Sequence, residues 1–171
     1  MKNIVLVGFM GTGKSVVGRA LAQRLRRPFI DVDELIEREV GRPIRSIFAE
    51  EGEVAFRRVE GAVIQRVSQR ENQVVATGGG ALLDEDNVAA LKRHGWLVWL
   101  KADPDIILQR IGDAESRPLL NVADPKARLA ELLALRQATY AKADAAVETS
   151  GRSIEQVVEE VLRLMPVDGG R

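Results

Sequence analysis

The sequence predicts an α/β fold of the P-loop type, a five-stranded parallel sheet with helices on both faces. Three observations carry that expectation. Short, nearly continuous apolar runs alternate with helical stretches, the pattern of strands buried on both faces. A glycine-rich loop, Gly8-Phe9-Met10-Gly11-Thr12-Gly13-Lys14-Ser15, joins the first apolar run to the first helix and fits G-x-x-x-x-G-K-[ST]. The length, 171 residues, suits one domain with a substantial core.

In chain order, strands are expected at 4–7, 28–32, 73–77, 96–100 and 145–148. Helices are expected at 14–26, 53–69, 86–93, 104–111, 125–140 and 154–164. Several helix starts are marked. Asp103-Pro104 and Asp124-Pro125 each place a capping Asp before a proline at the first helical position. Ser153-Ile154-Glu155-Gln156 fits a capping box. Two stretches break the β-α rhythm. From Asp33 to Arg70 helix follows helix, punctuated by Gly41-Arg42-Pro43 and Gly52, as in a helical insertion at the sheet edge. The polar stretch 112–124 lies between two helices and reads as a mobile lid. The tail 166–171 is expected to fray.

Composition narrows the function classes. With 25 basic and 25 acidic side chains there is no overall basic field for nucleic acid or an anionic membrane, so anion recognition must be local. With no cysteine, thiolate nucleophiles, thiolate metal sites and disulfides are excluded. The apolar run after Met1-Lys2-Asn3 is too short for a signal peptide, and no later run is long enough to span a membrane. The expected location is the cytosol. No apolar stripe is left over, so the expected state is a monomer.

The phosphate loop carries the first chemical inference. Glycines let backbone N–H groups turn inward around a polyphosphate, and the following helix points its positive end at the same place. Lys14 is placed to reach the β- and γ-phosphates and Ser15 to hold Mg²⁺, so ATP is the expected co-substrate.

Four further clusters follow. Asp31-Val32-Asp33 ends the second strand, where alternation would send both carboxylates to one side, beside the phosphate loop. One would face the Mg²⁺ shell and the other a hydroxyl nucleophile; the other reading is that Asp33 only caps the next helix. Arg57 and Glu60 share a helix face, as either a fork for a substrate carboxylate or a solvated ion pair. Gly78-Gly79-Gly80 after the third strand permits close backbone approach to a ligand; the alternative is a tight turn. Arg110, Arg117-Pro118 and Arg136 are cations near the lid or on helices, an Arg over a transferring phosphoryl group being the functional reading and solvated surface charge the other. His94 reads as a helix-end residue, and Trp96 and Trp99 as packing.

The ordered set G-x-x-x-x-G-K-S, D-x-D, F-R-x-x-E, G-G-G, R-P-L-L and R-x-x-x-Y resembles the shikimate kinase family, from Gly8 to about Arg152. The resemblance implies a nucleoside monophosphate kinase-like fold with a substrate-binding helical region at about 33–61. It implies that Gly11, Thr12, Gly13, Lys14, Ser15 and Val16 cradle ATP, and that Ser15 and Asp31 serve one Mg²⁺. Asp33 would bind shikimate hydroxyls and accept the proton, Arg57 and Arg136 would hold the carboxylate, and Gly79 would approach through its backbone. Glu60 would orient Arg57, Arg117 would reach the phosphates, and Arg110 and Arg152 would lie near the adenine. Two other classes stand beside it. One is a gluconate- or nucleoside monophosphate-type kinase on the same scaffold; the other is a nucleotide-binding module without transfer activity.

Overall fold

The computed structural model describes residues 1–112 and 119–166. Its five strands are β1 (Asn3–Val7), β2 (Phe29–Asp31), β3 (Val74–Ala76), β4 (Gly95–Lys101) and β5 (Ala145–Glu148). They form one sheet in the order β2-β3-β1-β4-β5. All pairings are parallel: Val5 of β1 lies beside Val75 on one side and Leu97 on the other, and Val98 beside Ala145 at the far edge.

The helices are α1 (Lys14–Leu25), α2 (Val32–Val40), α3 (Ile44–Val67), α4 (Glu85–His94), α5 (Pro104–Ile111), α6 (Pro125–Tyr140) and α7 (Ile154–Leu164). Strand order and crossover handedness together assign the layers. Only the β1–β2 connection runs toward the β2 edge; the others run the opposite way. Right-handed crossovers therefore put α1 on one face and α2 to α6 on the other. The core follows this division. Ile4 and Leu6 pack with Val17 and Leu21 of α1 and Val157 and Val161 of α7. Val5 and Val7, pointing oppositely, pack with Ile36, Ile64, Leu91, Ile107 and Leu129.

The expected strands all form, within a residue or two at their ends. The insertion also takes its expected form, with more helix than the sequence suggested. α3 begins at Ile44, nine residues before the helix expected there, and breaks at Gly52, whose φ of 84° only glycine takes without strain. Ser153 and Gln156 make the full capping box, and Asp124 accepts from the Ala127 N–H. Asp103 makes no such bond, so its helix start rests on Pro104 alone. His94 ends α4 and pairs with Glu71 at 3.1 Å. Among the described residues no helix is long and apolar enough to cross a membrane.

Gly95 turns the chain from α4 directly into β4. A Cβ there would overlap the Leu91 carbonyl oxygen and lie 2.9 Å from Val5 Cγ2. Gly95→Ala is expected to cost about 1–3 kcal/mol, measured as a lower denaturation midpoint, with ADP affinity retained because the change lies at the opposite end of the sheet from the phosphate loop.

Candidate active site

The loop after β1 wraps the start of α1. Gly13 caps that helix at φ 92°, a left-handed conformation that turns successive N–H groups toward one point. Thr12 is buried and donates to the Phe9 carbonyl at 2.8 Å, so its side chain stiffens the loop. The Lys14 ammonium donates to the carbonyls of Gly8 and Phe9 at 2.8 and 2.7 Å, which holds it over the loop. Ser15 Oγ donates to Asp31 Oδ2 at 2.5 Å.

This loop forms one wall of a cleft of about 440 Å³ at the carboxyl ends of the strands. Gly11, Thr12, Gly13, Lys14, Ser15, Val16, Asp31, Asp33, Gly79, Arg110 and Arg152 all line it, as the sequence reading requires. Three lining residues gave no sequence signal. Thr149 is buried, accepts from Arg110 Nη1 at 3.0 Å through its hydroxyl, and so fixes that guanidinium at the cleft. Ile154 and Val157, at the start of α7, supply an apolar surface beside Arg152. Only strand order brings α7 to the far end of the phosphate loop.

One expectation about local geometry is corrected. Asp31 and Asp33 do reach one cleft, but not by strand alternation. β2 ends at Asp31, and Asp33 lies in the first turn of α2. Asp31 is the residue that caps this helix, accepting from the Glu34 N–H at 3.2 Å. The reading of Asp33 as a helix cap therefore falls to its neighbour, and the Asp33 carboxyl is left available to the site.

The three glycines answer to three different neighbours. A Cβ on Gly78 would sit 2.8 Å from Asp33 Oδ1 and 2.9 Å from Glu60 Oε2. On Gly79 it would lie 3.3 Å from the Met10 amide nitrogen and 3.7 Å from Arg136 Nη1. On Gly80 it would overlap the Arg57 guanidinium. A tight turn alone demands none of these approaches.

Arg57 and Arg136 stand beyond the cleft wall formed by Gly79. Arg57 pairs with Glu60 at 2.8 Å, and Glu60 is only 1% exposed, so this is no solvated surface pair. Arg136, at 6% exposed, lies over the Phe9 ring with its guanidinium carbon 5.4 Å from the centroid. Arg117, the cation expected on the lid, falls outside the described residues, as do residues 113–118 of the 112–124 segment.

The electrostatics are those of a site awaiting a partner. Burial pushes the Asp33 carboxyl up to about 6, with Glu60 and Asp31 adding repulsion and Lys14 opposing them. Burial also raises Glu60, against the pull of Arg57 and Arg136. Asp33 Oδ1, Glu60 Oε2 and Arg57 Nε are buried without hydrogen-bond partners, a set suited to a ligand rich in hydroxyls and bearing a carboxylate. Among the described residues no three His, Cys, Asp or Glu cluster as a metal cage. The Ser15–Asp31 oxygen pair still fits Mg²⁺, which keeps several waters and takes its other oxygens from phosphates.

Comparison with known proteins gives the same assignment. The family profile described as shikimate kinase matches residues 10–166. The shikimate kinase of Caldanaerobacter subterraneus subsp. tengcongensis is 45% identical over 163 residues, covering 95% of each chain. That of Symbiobacterium thermophilum is 46% identical over 172 residues, covering 99% of each. The solved shikimate kinase from Acinetobacter baumannii in complex with shikimate superposes with a TM-score of 0.92 at 41% identity, covering 96% of this chain and 92% of that one. A profile that runs from Met10 in the phosphate loop past the α6 arginine, with relatives matched nearly end to end, places this chain in the shikimate kinase family.

Proposed function

We propose that this protein transfers the γ-phosphoryl group of ATP to the 3-hydroxyl of shikimate, giving 3-phosphoshikimate and ADP, a step toward chorismate and the aromatic amino acids. One observation carries the reading beyond family membership. A single backbone segment, Gly78–Gly80, has the carboxylates of Asp33 and Glu60 against its first residue, Arg136 beside its second and Arg57 against its third. Carboxylates for hydroxyls and guanidinium forks for an acid group are what a carboxylated polyol requires.

The residue roles belong to the same proposal. The N–H groups of Gly11 to Val16 and the Lys14 ammonium hold the phosphates, with Arg110 and Arg152 flanking the base end of the cleft. Ser15, and Asp31 through water, would hold Mg²⁺, which when bound neutralises charge on the phosphate oxygens. Arg57 and Arg136 fix the shikimate carboxylate, Glu60 holds Arg57, and the Gly79 backbone lies against the ring. Asp33 accepts the hydroxyl proton as the hydroxyl oxygen bonds to the γ-phosphorus and the bond from that phosphorus to the bridging oxygen breaks. ADP leaves with the electron pair. An acceptor with its pKa lifted toward neutrality suits that proton transfer. Arg117 on the 112–124 segment is assigned to the phosphates, and closure of that segment to water exclusion.

A monomer in the cytosol completes the reading. Among the described residues, the exposed large apolar side chains Val54, Leu83, Val122 and Leu135 sit on separate elements, while Val16 and Ile154 line the nucleotide cleft. Size-exclusion chromatography with light scattering checks this.

The primary test is ADP release by purified protein with ATP, Mg²⁺ and a panel of shikimate, gluconate and nucleoside monophosphates. Shikimate-dependent turnover is expected, and its absence sinks the proposal. Arg136→Ala is expected to raise the shikimate KM by about 10- to 150-fold, the equivalent of charge-assisted hydrogen bonds, with the ATP KM within about twofold.

The pH dependence has a definite sign. Asp33 is raised from 3.8 to about 6, so its ionised, hydroxyl-accepting form dominates only above that pH. In metal-free protein, calorimetric shikimate affinity is expected to fall as pH drops through about 6, and Asp33→Asn to abolish this dependence. The same raised pKa means that ionising Asp33 costs stability as pH rises from 3.8 to 6. Asp33→Asn should therefore stabilise the fold by about 1–3 kcal/mol at pH 7 and by little at pH 4.

A further inference from the structure

Tyr140 is the only tyrosine of the chain, and the proposed chemistry makes no use of it. It is the last residue of α6 and is 2% exposed. Its hydroxyl donates to the Gly79 carbonyl at 2.5 Å, across 61 positions of sequence. Burial pushes the phenol pKa up, against the opposing pull of the Arg136 guanidinium, so the hydroxyl keeps its proton and remains a donor.

Its surroundings make this contact more than packing. Arg136 lies one helical turn earlier on the same face of α6, and its Nη1 is 3.7 Å from where a Gly79 Cβ would be. That same position is 3.3 Å from the Met10 amide nitrogen and 3.8 Å from the Gly8 carbonyl oxygen, both in the phosphate loop. The Tyr140 ring also packs on Trp99, with centroids 5.6 Å apart. Trp99 in turn lies beside Val7 in the sheet and 3.4 Å from a Cβ position on Gly8. The phenol thus closes a circuit from α6 to the Gly79 turn, to the phosphate loop, and back through Trp99.

We propose that Tyr140 is a positioning residue for the phosphoryl acceptor: by gripping the Gly79 carbonyl at the point where Arg136 and the phosphate loop meet, it sets the acceptor subsite in register with the phosphate donor. The inference rests on the assignment of shikimate as acceptor. Without the hydroxyl, the Gly79 carbonyl loses its donor and the end of α6 is free to slide against the turn. Arg136 then moves with it, while the nucleotide side, held by Thr12, Ser15 and Thr149, stays in place.

Tyr140→Phe retains the ring and its contact with Trp99. It is expected to raise the shikimate KM by about three- to tenfold and to lower kcat by a similar factor, the scale of one lost hydrogen bond, with ADP affinity within about twofold. A purely structural role would lower the melting temperature and leave these constants alone. A second readout needs no mutation: 3-fluorotyrosine labels position 140 alone, and its fluorine resonance is expected to shift on adding shikimate to the ADP complex. Wild-type shikimate constants in Tyr140→Phe, or equal loss of shikimate and ADP affinity, overturn the proposal. If that variant does not fold, an unmoved fluorine resonance overturns it and a shifted one supports it. Absence of shikimate turnover in the wild-type enzyme would instead sink the functional reading beneath it.

Discussion

Three consecutive residues after β3, Gly78 to Gly80, leave the space of a Cβ to their neighbours, and the organisation of the site follows from that close approach. Each glycine admits a different group: carboxylates from α2 and α3, the phosphate-loop backbone with an α6 guanidinium, and the Arg57 guanidinium. Four separate elements therefore meet on one stretch of backbone. A methyl at Gly78 or Gly80 would push aside the charged end of Asp33, Glu60 or Arg57, and one at Gly79 would press on the Met10 amide. Because the strand before the turn is paired to both β1 and β2, the turn itself cannot back away. The side chains converge because the backbone they converge on is held by the sheet.

That convergence carries an electrostatic cost. Asp33 and Glu60 are drawn together over Gly78 with one buried, unpaired oxygen each. Burial and mutual repulsion raise both carboxyls, while Arg57 and Arg136 relieve Glu60 and Lys14 relieves Asp33. The arrangement is poorer for stability than an apolar core of the same volume would be. It suits a site in which the missing hydrogen bonds are supplied by a ligand, and unpaired groups of this kind are where function departs from optimal packing.

Much of the fold was legible in the sequence because its signals are local. A strand buried on both faces is apolar throughout, a helix start needs a cap, and a phosphate loop needs glycine at fixed offsets. The errors were local too, and small in consequence. Strand alternation predicts one side for Asp31 and Asp33, yet the strand stops at Asp31, whose side chain caps α2. The first turn of the helix then delivers Asp33 to the cleft by a different route. Arg57 and Glu60 were ambiguous because an i,i+3 pair looks the same exposed or buried. Thr149 and Val157 were invisible because nothing in their own neighbourhood marks them, and Tyr140 carried only its four-residue spacing from Arg136.

The sequence by itself determined the order and type of the elements, the nucleotide-binding loop and, through the ordered motifs, the family resemblance. These rest on short-range chemistry: periodicity, capping and backbone freedom at glycine. The tertiary structure alone decided what each charged residue faces. Burial of Glu60, the three neighbours of the glycine run, the anchoring of Arg110 by Thr149 and the grip of Tyr140 on Gly79 all join residues from separate elements. Those contacts follow from strand order and crossover handedness, which act on the whole chain at once and leave no mark in any one segment.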